Sequence, residues 1–442
     1  MEMRRLGTAK KPMIVVQNAT IGQFVSEAKK LYPNAKILTL SPKDRTAEGR
    51  RLFYAKIKYN YWDMVVVPQS TFDMIPDSPE RQQAFIQEKI EEKMHVLEIL
   101  RGSNNKDDKK GADDIRNEIG KLKKELYDVA NGIKRDKKDA KKEAVAKQNA
   151  SVRAAEQLNR RTDEVQYFDE LGVDALLVDE AHAYKRLGYA TTMTRGVKGI
   201  DTARSKKSAG LYLKSRGILE SRGWKNVVFA TGTPISNTAA EIWTFMKYLL
   251  PKDVLLKNDI YYFDDFVHNF GNISQSLEFS TNGKFKENTR FATYVNKPEL
   301  IRLWSMVADT VLTKDVGYVN DKIPKMETEK AIDVYLPQSP SLVGIMSAVR
   351  AKLDEYEKMS GKENKAHSSI PLTAYGIAKR AAIDPRLVDS TADDEPMSKT
   401  NKAVDDIVSD LEKTKSYNGV VAVFCDNQNR KNPDTKIVEF NL

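Results

Sequence analysis

Two adjacent carboxylates follow directly on an apolar run near the middle of the chain. Asp179 and Glu180 come after four apolar residues in the stretch VDALLVDEAHAYKRLG, and His182 follows them. At the end of a strand, one carboxylate can hold Mg²⁺ through water, and a second can polarise the water that attacks a phosphoryl group. An ordinary strand with a polar end would look the same, and a lone histidine is more often structural than catalytic. The pair by itself leaves both interpretations open.

A second motif further along the chain favours the catalytic interpretation. Thr231, Gly232 and Thr233 follow the apolar run 227–230 in the stretch VVFATGTPISN. A Thr-Gly-Thr-Pro turn offers two hydroxyls and a tight backbone bend, and the hydroxyls can contact the Asp-Glu-Ala-His residues and respond to nucleotide state. A Gly-Pro turn selected only for its geometry is the alternative. Both motifs, in this order and at matching strand ends, are much less expected by accident.

These motifs need a sheet that brings the ends of several strands together. Short apolar runs at residues 13–16, 64–67, 175–178 and 227–230 alternate with helical patterns, and AKILTL adds another short strand. This alternation is typical of an α/β domain with a parallel sheet, in which ligands bind at the carboxyl ends of the strands. We predict that this domain occupies residues 1–80 and 167–255. A connecting helical region at 256–325 and a partial second domain of the same kind at 326–442 follow.

A charged helical hairpin is predicted between the two parts of the first domain, at residues 81–166. Its second helix carries a heptad seam of apolar residues, and its first helix carries a shorter apolar series that can pack against it as in a coiled coil. The seam is formed by Ile115, Ile119, Leu122, Leu126, Val129 and Ile133, and the partner series by Ile86, Ile90, Met94 and Leu97. Residues 121–147 contain ten basic and five acidic residues. A solvated face is favoured there over a dedicated nucleic-acid arm, although the hairpin could bind protein or DNA.

The overall composition limits the class of protein. The chain has 442 residues and a formal net charge of +10, which favours a polyanionic partner. One cysteine excludes an internal disulfide framework and fits a reducing compartment, and four histidines leave little for a zinc cluster. The sequence has no apolar run of membrane-spanning length and no signal-peptide pattern. We therefore predict a cytoplasmic protein without a membrane partner.

The two motifs together resemble superfamily 2 helicases of the DEAH type, and most closely the Swi/Snf-like branch of translocases. DEAH at 179–182 is similar to a Walker B motif, and ATGTP with ISNTAAEIW behind it is similar to the third helicase motif. The segments AAIDPRLV, SKTNKAVDDIVSDL and GVVAVFCD resemble the entry into a second domain. The resemblance implies two RecA-like domains, with the second one partial. The long insertion is similar to helicase–methyltransferase polypeptides of bacterial mobile elements and phages.

The resemblance also implies roles for individual residues. Asp179 would hold Mg²⁺ beside ATP, Glu180 would activate water, and His182 would couple hydrolysis to domain movement together with the turn at 231–233. DNA would be the partner, and a methyltransferase could belong to the same system. The residues near the nucleic-acid backbone would be Gln17, Asn18, Gln69, Ser70 and Thr71. Polar strand-end residues that merely face water are an equal alternative for these five.

Two parts of the family pattern are missing from the sequence: the phosphate-binding loop, and the late motifs of the second domain with the arginines that complete the nucleotide site. A complete enzyme needs a Gly-x-x-x-x-Gly-Lys-Ser/Thr loop to cradle the phosphates. The three Gly-Lys pairs begin at Gly120, Gly283 and Gly361, and none is followed by Ser or Thr. We expect the middle of a helicase, truncated at both ends, with little or no ATPase activity by itself. The alternatives are a non-catalytic module that binds nucleic acid or protein, and a remnant without function.

Overall fold

The computed structural model describes most of the chain in two compact units. It describes residues 1–41, 46–103, 105–133, 166–193, 197–198, 200, 202–236, 238–279, 285–312, 315–317, 332–359, 367, 369–417, 419–421 and 423. The first unit comprises Met1–Ser276 with Asn288–Thr310, and the second comprises Leu277–Glu287 with Val311–Leu442.

The strands in chain order are β1 (Pro12–Val16), β2 (Ile37–Thr39), β3 (Met64–Pro68), β4 (Ala175–Val178), β5 (Val197–Lys198), β6 (Val227–Phe229), β7 (Gly271–Phe279) and β8 (Phe285–Tyr294). The helices of the first unit are α1 (Glu2–Arg5), α2 (Ile21–Leu31), α3 (Ala47–Tyr59), α4 (Gln69–Phe72), α5 (Pro79–Arg101), α6 (Lys106–Ala130), α7 (Lys206–Ser221), α8 (Glu241–Leu249), α9 (Lys252–Leu256), α10 (Phe263–Phe270) and α11 (Lys297–Trp304). In the second unit they are α12 (Pro340–Lys358), α13 (Ile370–Ile383) and α14 (Lys399–Thr414). Short 3-10 turns lie at Phe168–Leu171, Ala181–Tyr184, Pro385–Leu387 and Lys415–Tyr417.

The main sheet of the first unit is parallel, and its strands follow the order β2-β3-β1-β4-β6. The predicted α/β parallel sheet is confirmed. Val15 of β1 lies opposite Val67 of β3 and Val178 of β4, and Val178 lies opposite Phe229 of β6. This register aligns the carboxyl ends of four neighbouring strands at one edge of the sheet.

Helices cover the sheet because the central strands are apolar on both faces. On one face, alternate residues such as Met13, Val65 and Leu176 pack with side chains of α3, α7 and α8. On the opposite face, Val16 and Val66 pack with side chains of α2 and with Met1. Among the described strands, β6 lies at an edge of this sheet, and its central Val228 is 49% exposed.

The helices α5 and α6 pack as a hairpin along an apolar seam. From α6 the seam includes Ala112, Ile115, Ile119 and Leu122, and from α5 it includes Ile86, Ile90, Val96, Leu97 and Leu100. Met94, predicted in this seam, is instead 53% exposed. Each step of four residues overshoots a full helical turn by about 40°. Met94, two such steps after Ile86, therefore points about 80° away from Ile86 and off the contact face. Ile133 lies beyond the end of α6 and is exposed.

The limits of the predicted hairpin stay a prediction, because residues 134–165 lie outside the described part of the chain. The region 256–325, predicted as a helical connection, contains α10 and α11 but also β7 and β8. β8 pairs in parallel with β5, and the three strands follow the order β5-β8-β7. Apolar residues at Ile273, Leu277 and Phe279 of β7 follow the two-residue period of a strand, whereas β8 has no such pattern over residues 286–290.

Beyond Val311, the regular secondary structure described in the second unit consists of helices. Val349 and Leu353 of α12 pack with Ala374 of α13. Of the strands predicted near 326–337 and at 420–424, residues 332–337, 420, 421 and 423 are described, and none of these is in a strand. A RecA-like second domain therefore remains a prediction. Across both units, no described helix is long and apolar enough to cross a bilayer.

Candidate active site

The polar residues singled out in the sequence lie at the carboxyl edge of the main sheet. β1 leads to Gln17, β3 to Gln69, β4 to Asp179 and β6, through Ala230, to Thr231. Because these four strands are parallel and neighbours in the sheet, their ends meet. The two motifs, which are far apart in sequence, are therefore adjacent in the fold.

The backbone of Asp179 is held from both sides. Its N–H donates to the carbonyl of Val15 at 2.8 Å. Its carbonyl accepts a hydrogen bond from Nε2 of Gln69 at 3.0 Å. These bonds fix the position from which the half-buried Asp179 carboxylate leaves the end of β4.

The backbone of Glu180 takes a conformation that is uncommon for a residue with a side chain. Its φ is 52° and its ψ is 47°, in the left-handed region. For a residue other than glycine this conformation costs on the order of 1–2 kcal/mol, and such positions concentrate at functional sites. The next N–H, of Ala181, donates to the carbonyl of Ala230 at 3.0 Å and ties the turn to the end of β6.

The imidazole of His182 joins the two motifs. Its Nδ1 lies 3.0 Å from Oε2 of Glu180 and 3.0 Å from Oγ1 of Thr231. A carboxylate can only accept a hydrogen bond, so Nδ1 carries the proton in this arrangement. The same Oγ1 accepts a hydrogen bond from the N–H of Thr233 at 3.1 Å. A displacement of Glu180 would therefore change the contacts of the Thr-Gly-Thr turn through His182.

The five residues expected near nucleic acid do not share one environment. Gln17, Asn18 and Ser70 are exposed at the sheet edge, and Oγ of Ser70 donates to Oδ1 of Asn18 at 3.0 Å. Gln69 is half-buried and bonded to Asp179. Thr71 is 3% exposed, because α4 begins at Gln69 and turns this side chain inward. Thr71 therefore has no surface to offer a ligand, and we retain only the exposed three as contact candidates.

Sequence reasoning missed three residues that connect the segments flanking the site. Lys185 follows the turn Ala181–Tyr184, Ser236 lies after the Thr-Gly-Thr-Pro sequence, and Glu241 is the first residue of α8. Nζ of Lys185 lies 2.9 Å from Oε1 of Glu241. The N–H of Ser236 donates to Oε2 of Glu241 at 2.7 Å. The acidic residue in the first turn of a helix was the available signal, but a favourable helix dipole explains such a residue equally well.

The comparison with protein families matches most of the chain. The family described as "Probable helicase domain" matches residues 1–148 and 111–311. The chain belongs to this helicase-domain family. The match confirms the helicase resemblance based on the two motifs, and both motifs lie within the second matched range.

Two proteins illustrate what this helicase-domain chain resembles. "Defense against restriction protein B" of Escherichia phage P1 is 25% identical over 137 residues, which are 31% of this chain and 6% of that protein. The Swi2/Snf2 ATPase core of Sulfolobus solfataricus, solved in complex with double-stranded DNA, aligns with a TM-score of 0.32 and 13% identity. That alignment covers 93% of this chain and 56% of the other. The chain thus spans only part of each of these relatives.

The side chains of the candidate site suit a metal ion whose ligands are mostly waters and substrate phosphates. No group of three or more histidine, cysteine, aspartate or glutamate side chains suited to a metal occurs among the described residues. Mg²⁺ is usually bound by one or two carboxylates, with waters and substrate phosphates completing an octahedron. Asp179 at the strand end suits that pattern, whereas the Glu180 carboxylate lies 3.0 Å from Nδ1 of His182.

Proposed function

We propose that this chain carries the acidic half of a nucleoside-triphosphate hydrolysis site in a DNA translocase of the helicase type. The observation that carries the proposal is the position of His182, whose Nδ1 lies 3.0 Å from both Glu180 and Thr231. This position links a carboxylate that would act on water to the Thr-Gly-Thr turn through the imidazole. The substrate class would be ATP with Mg²⁺, and the coupled partner would be DNA.

The roles follow from the positions of the side chains. Asp179 would hold Mg²⁺, which when bound neutralises charge on the phosphate oxygens. Glu180 would orient a water and accept its proton as the water oxygen bonds to the terminal phosphorus and the bond to the bridging oxygen breaks. His182 would keep the Glu180 carboxylate in place through Nδ1–H. Thr231 would pass a change at Glu180 to the turn before α8.

Contacts with DNA are proposed for the exposed side chains at the same edge. Gln17, Asn18 and Ser70 offer amide and hydroxyl groups, which suit sequence-independent contacts with phosphates. The formal net charge of +10 supports attraction of a polyanion. Because these residues follow β1 and β3, a bound backbone would lie on the β1 side of Asp179.

The metal role of Asp179 can be measured without hydrolysis. Mn²⁺ in place of Mg²⁺ can be titrated into the full chain and followed by electron paramagnetic resonance. We expect weak binding that Asp179→Asn removes. Asp63→Asn, which changes a partly buried carboxylate paired with Arg4, should leave the binding unchanged. Equal binding by the wild type and Asp179→Asn would contradict the assignment.

The activity of the 442-residue chain is expected to be very low, because the sequence lacks a Gly-x-x-x-x-Gly-Lys-Ser/Thr loop. Phosphate release should be measured with ATP, Mg²⁺ and double-stranded DNA, with Glu180→Gln as the control for contamination. DNA-stimulated release at ordinary helicase rates that disappears in Glu180→Gln would show that the missing loop is dispensable. DNA binding that persists without Asp179 and Glu180 would favour a non-catalytic binding module.

A further inference from the structure

A buried ion pair joins the two segments that leave the candidate active site. Lys185 lies just after the Asp-Glu-Ala-His turn, and Glu241 begins the helix α8 that follows the Thr-Gly-Thr-Pro turn. The two side chains are mostly buried, with 17% and 8% of their surfaces exposed. A pair so placed bridges the segments after β4 and β6.

Both oxygens of the Glu241 carboxylate are used. Oε1 lies 2.9 Å from Nζ of Lys185, and Oε2 accepts from the N–H of Ser236 at 2.7 Å. Nζ of Lys185 also donates to Oγ of Ser236. Lys185, Ser236 and Glu241 therefore close a small ring of charge-assisted bonds, which are stronger than neutral hydrogen bonds.

The turn between Thr231 and Ser236 depends on side chains for its shape. The N–H of Thr233 is held by Oγ1 of Thr231, and the N–H of Ser236 is held by Glu241. The outer end of the turn is thus fixed by Glu241, and its inner end is fixed on His182. If the outer end were released, the position of Thr231 relative to the imidazole would no longer be set.

We propose that Lys185 and Glu241 are positioning residues that hold the 231–236 turn so that Thr231 stays bonded to His182. The pair acts through the turn and touches no reacting group. Its importance for hydrolysis rests on the function proposed above for Glu180, but its effect on His182 does not. A carboxylate that served only the dipole of α8 would stabilise the helix and leave the imidazole unchanged.

The test is the hydrogen bonding of His182, read from the ¹⁵N chemical shift of its Nδ1. The chain has four histidines, so His182→Asn assigns the signal. Thr231→Val, which lacks the hydroxyl, gives the reference position of the Nδ1 resonance without the Thr231 contact. In Glu241→Gln and in Lys185→Gln the resonance should move to this reference position, because Glu180 still accepts from Nδ1–H and only the Thr231 contact is lost. The double variant should shift it no further than either single variant.

The matched control removes a lysine from an exposed pair. Lys257 pairs with Asp253 and its side chain is 77% exposed, so Lys257→Met should leave the His182 signal unchanged. If Glu241→Gln fails to fold, Lys185→Gln decides the matter. An unchanged Nδ1 resonance in folded Lys185→Gln would overturn the proposal. A shifted resonance together with Mn²⁺ binding that is the same in Asp179→Asn and the wild type would instead leave the positioning role intact and refute the proposed function.

Discussion

Removal of Lys247 is expected to destabilise the first unit strongly, because this lysine neutralises two buried carboxylates. Its Nζ lies 2.6 Å from Oε1 of Glu92 and 2.9 Å from Oε1 of Glu88. Lys89 completes the cluster, since its Nζ lies 3.0 Å from Oε2 of Glu92 and donates to the carbonyl of Gly188 at 2.8 Å. These contacts join α5 to α8 and to the segment that follows the turn Ala181–Tyr184.

The magnitude follows from the charge state of Glu92. Burial alone would raise its pKa, but Lys89 and Lys247 lower it from 4.5 to about 2. Each pKa unit corresponds to about 1.4 kcal/mol, so the two lysines favour the carboxylate by about 3 kcal/mol beyond the cost of burial. Lys247→Met leaves Glu88 and Glu92 with less compensation, and breaking such a buried pair typically costs about 3–5 kcal/mol. We expect a loss of about 3 kcal/mol.

The assay is urea unfolding of the full chain near neutral pH, followed by tryptophan fluorescence. All four tryptophans, Trp62, Trp224, Trp243 and Trp304, belong to the first unit, so the signal reports this unit. Lys252→Met is the matched control, because Lys252 lies 3.7 Å from the same Glu88 oxygen but its side chain is 61% exposed. The control should lose less than about 1 kcal/mol. Equal losses in the two variants would refute the reasoning.

Two further predictions concern the same hairpin. Because the folded-state pKa of Glu92 is about 2 and its ordinary value is 4.5, its stabilising contribution is present above pH 4.5 and disappears as the pH falls toward 2. In Glu92→Gln, the free energy of unfolding should fall less steeply between pH 4.5 and 2 than in the wild type. An equal pH dependence in the two proteins would contradict this assignment. Ile90→Ala should lose about 2–5 kcal/mol in urea unfolding, since Ile90 is 3% exposed in the hairpin seam. Met94→Ala, at a 53% exposed position, should lose less than about 1 kcal/mol, and the opposite ranking would show that the seam is misplaced.

The main sheet could be predicted from sequence because its strands have strong local signals. The apolar runs in β1, β3 and β4 are continuous, since these strands are buried on both faces. The polar residues after them could be located for the same reason, because parallel strands end at one edge. The contact between His182 and Thr231 then needs only that β4 and β6 be neighbours.

The features that could not be predicted depend on partners that are distant in the chain. Lys89 and Glu92 resemble the solvated face of a charged helix, yet both are buried, because α8 supplies Lys247. Glu241 pairs with Lys185, which belongs to none of the sequence motifs. Thr71 belongs to a polar run but is turned inward when α4 starts at once after β3. The local sequence pattern does not indicate which acidic residue will pair with which basic residue.

The position of β6 has a consequence for how the purified chain behaves. β6 pairs with β4 on one side, and no described strand pairs with its other side. Its centre, Val228, is a large aliphatic residue that is 49% exposed. Unpaired N–H and C=O groups beside exposed apolar side chains are a template for adding another strand, and natural edge strands are usually protected from this by charge or cover. At high concentration the chain should therefore self-associate through this edge, and β6 is the place to introduce a lysine when a monodisperse sample is required.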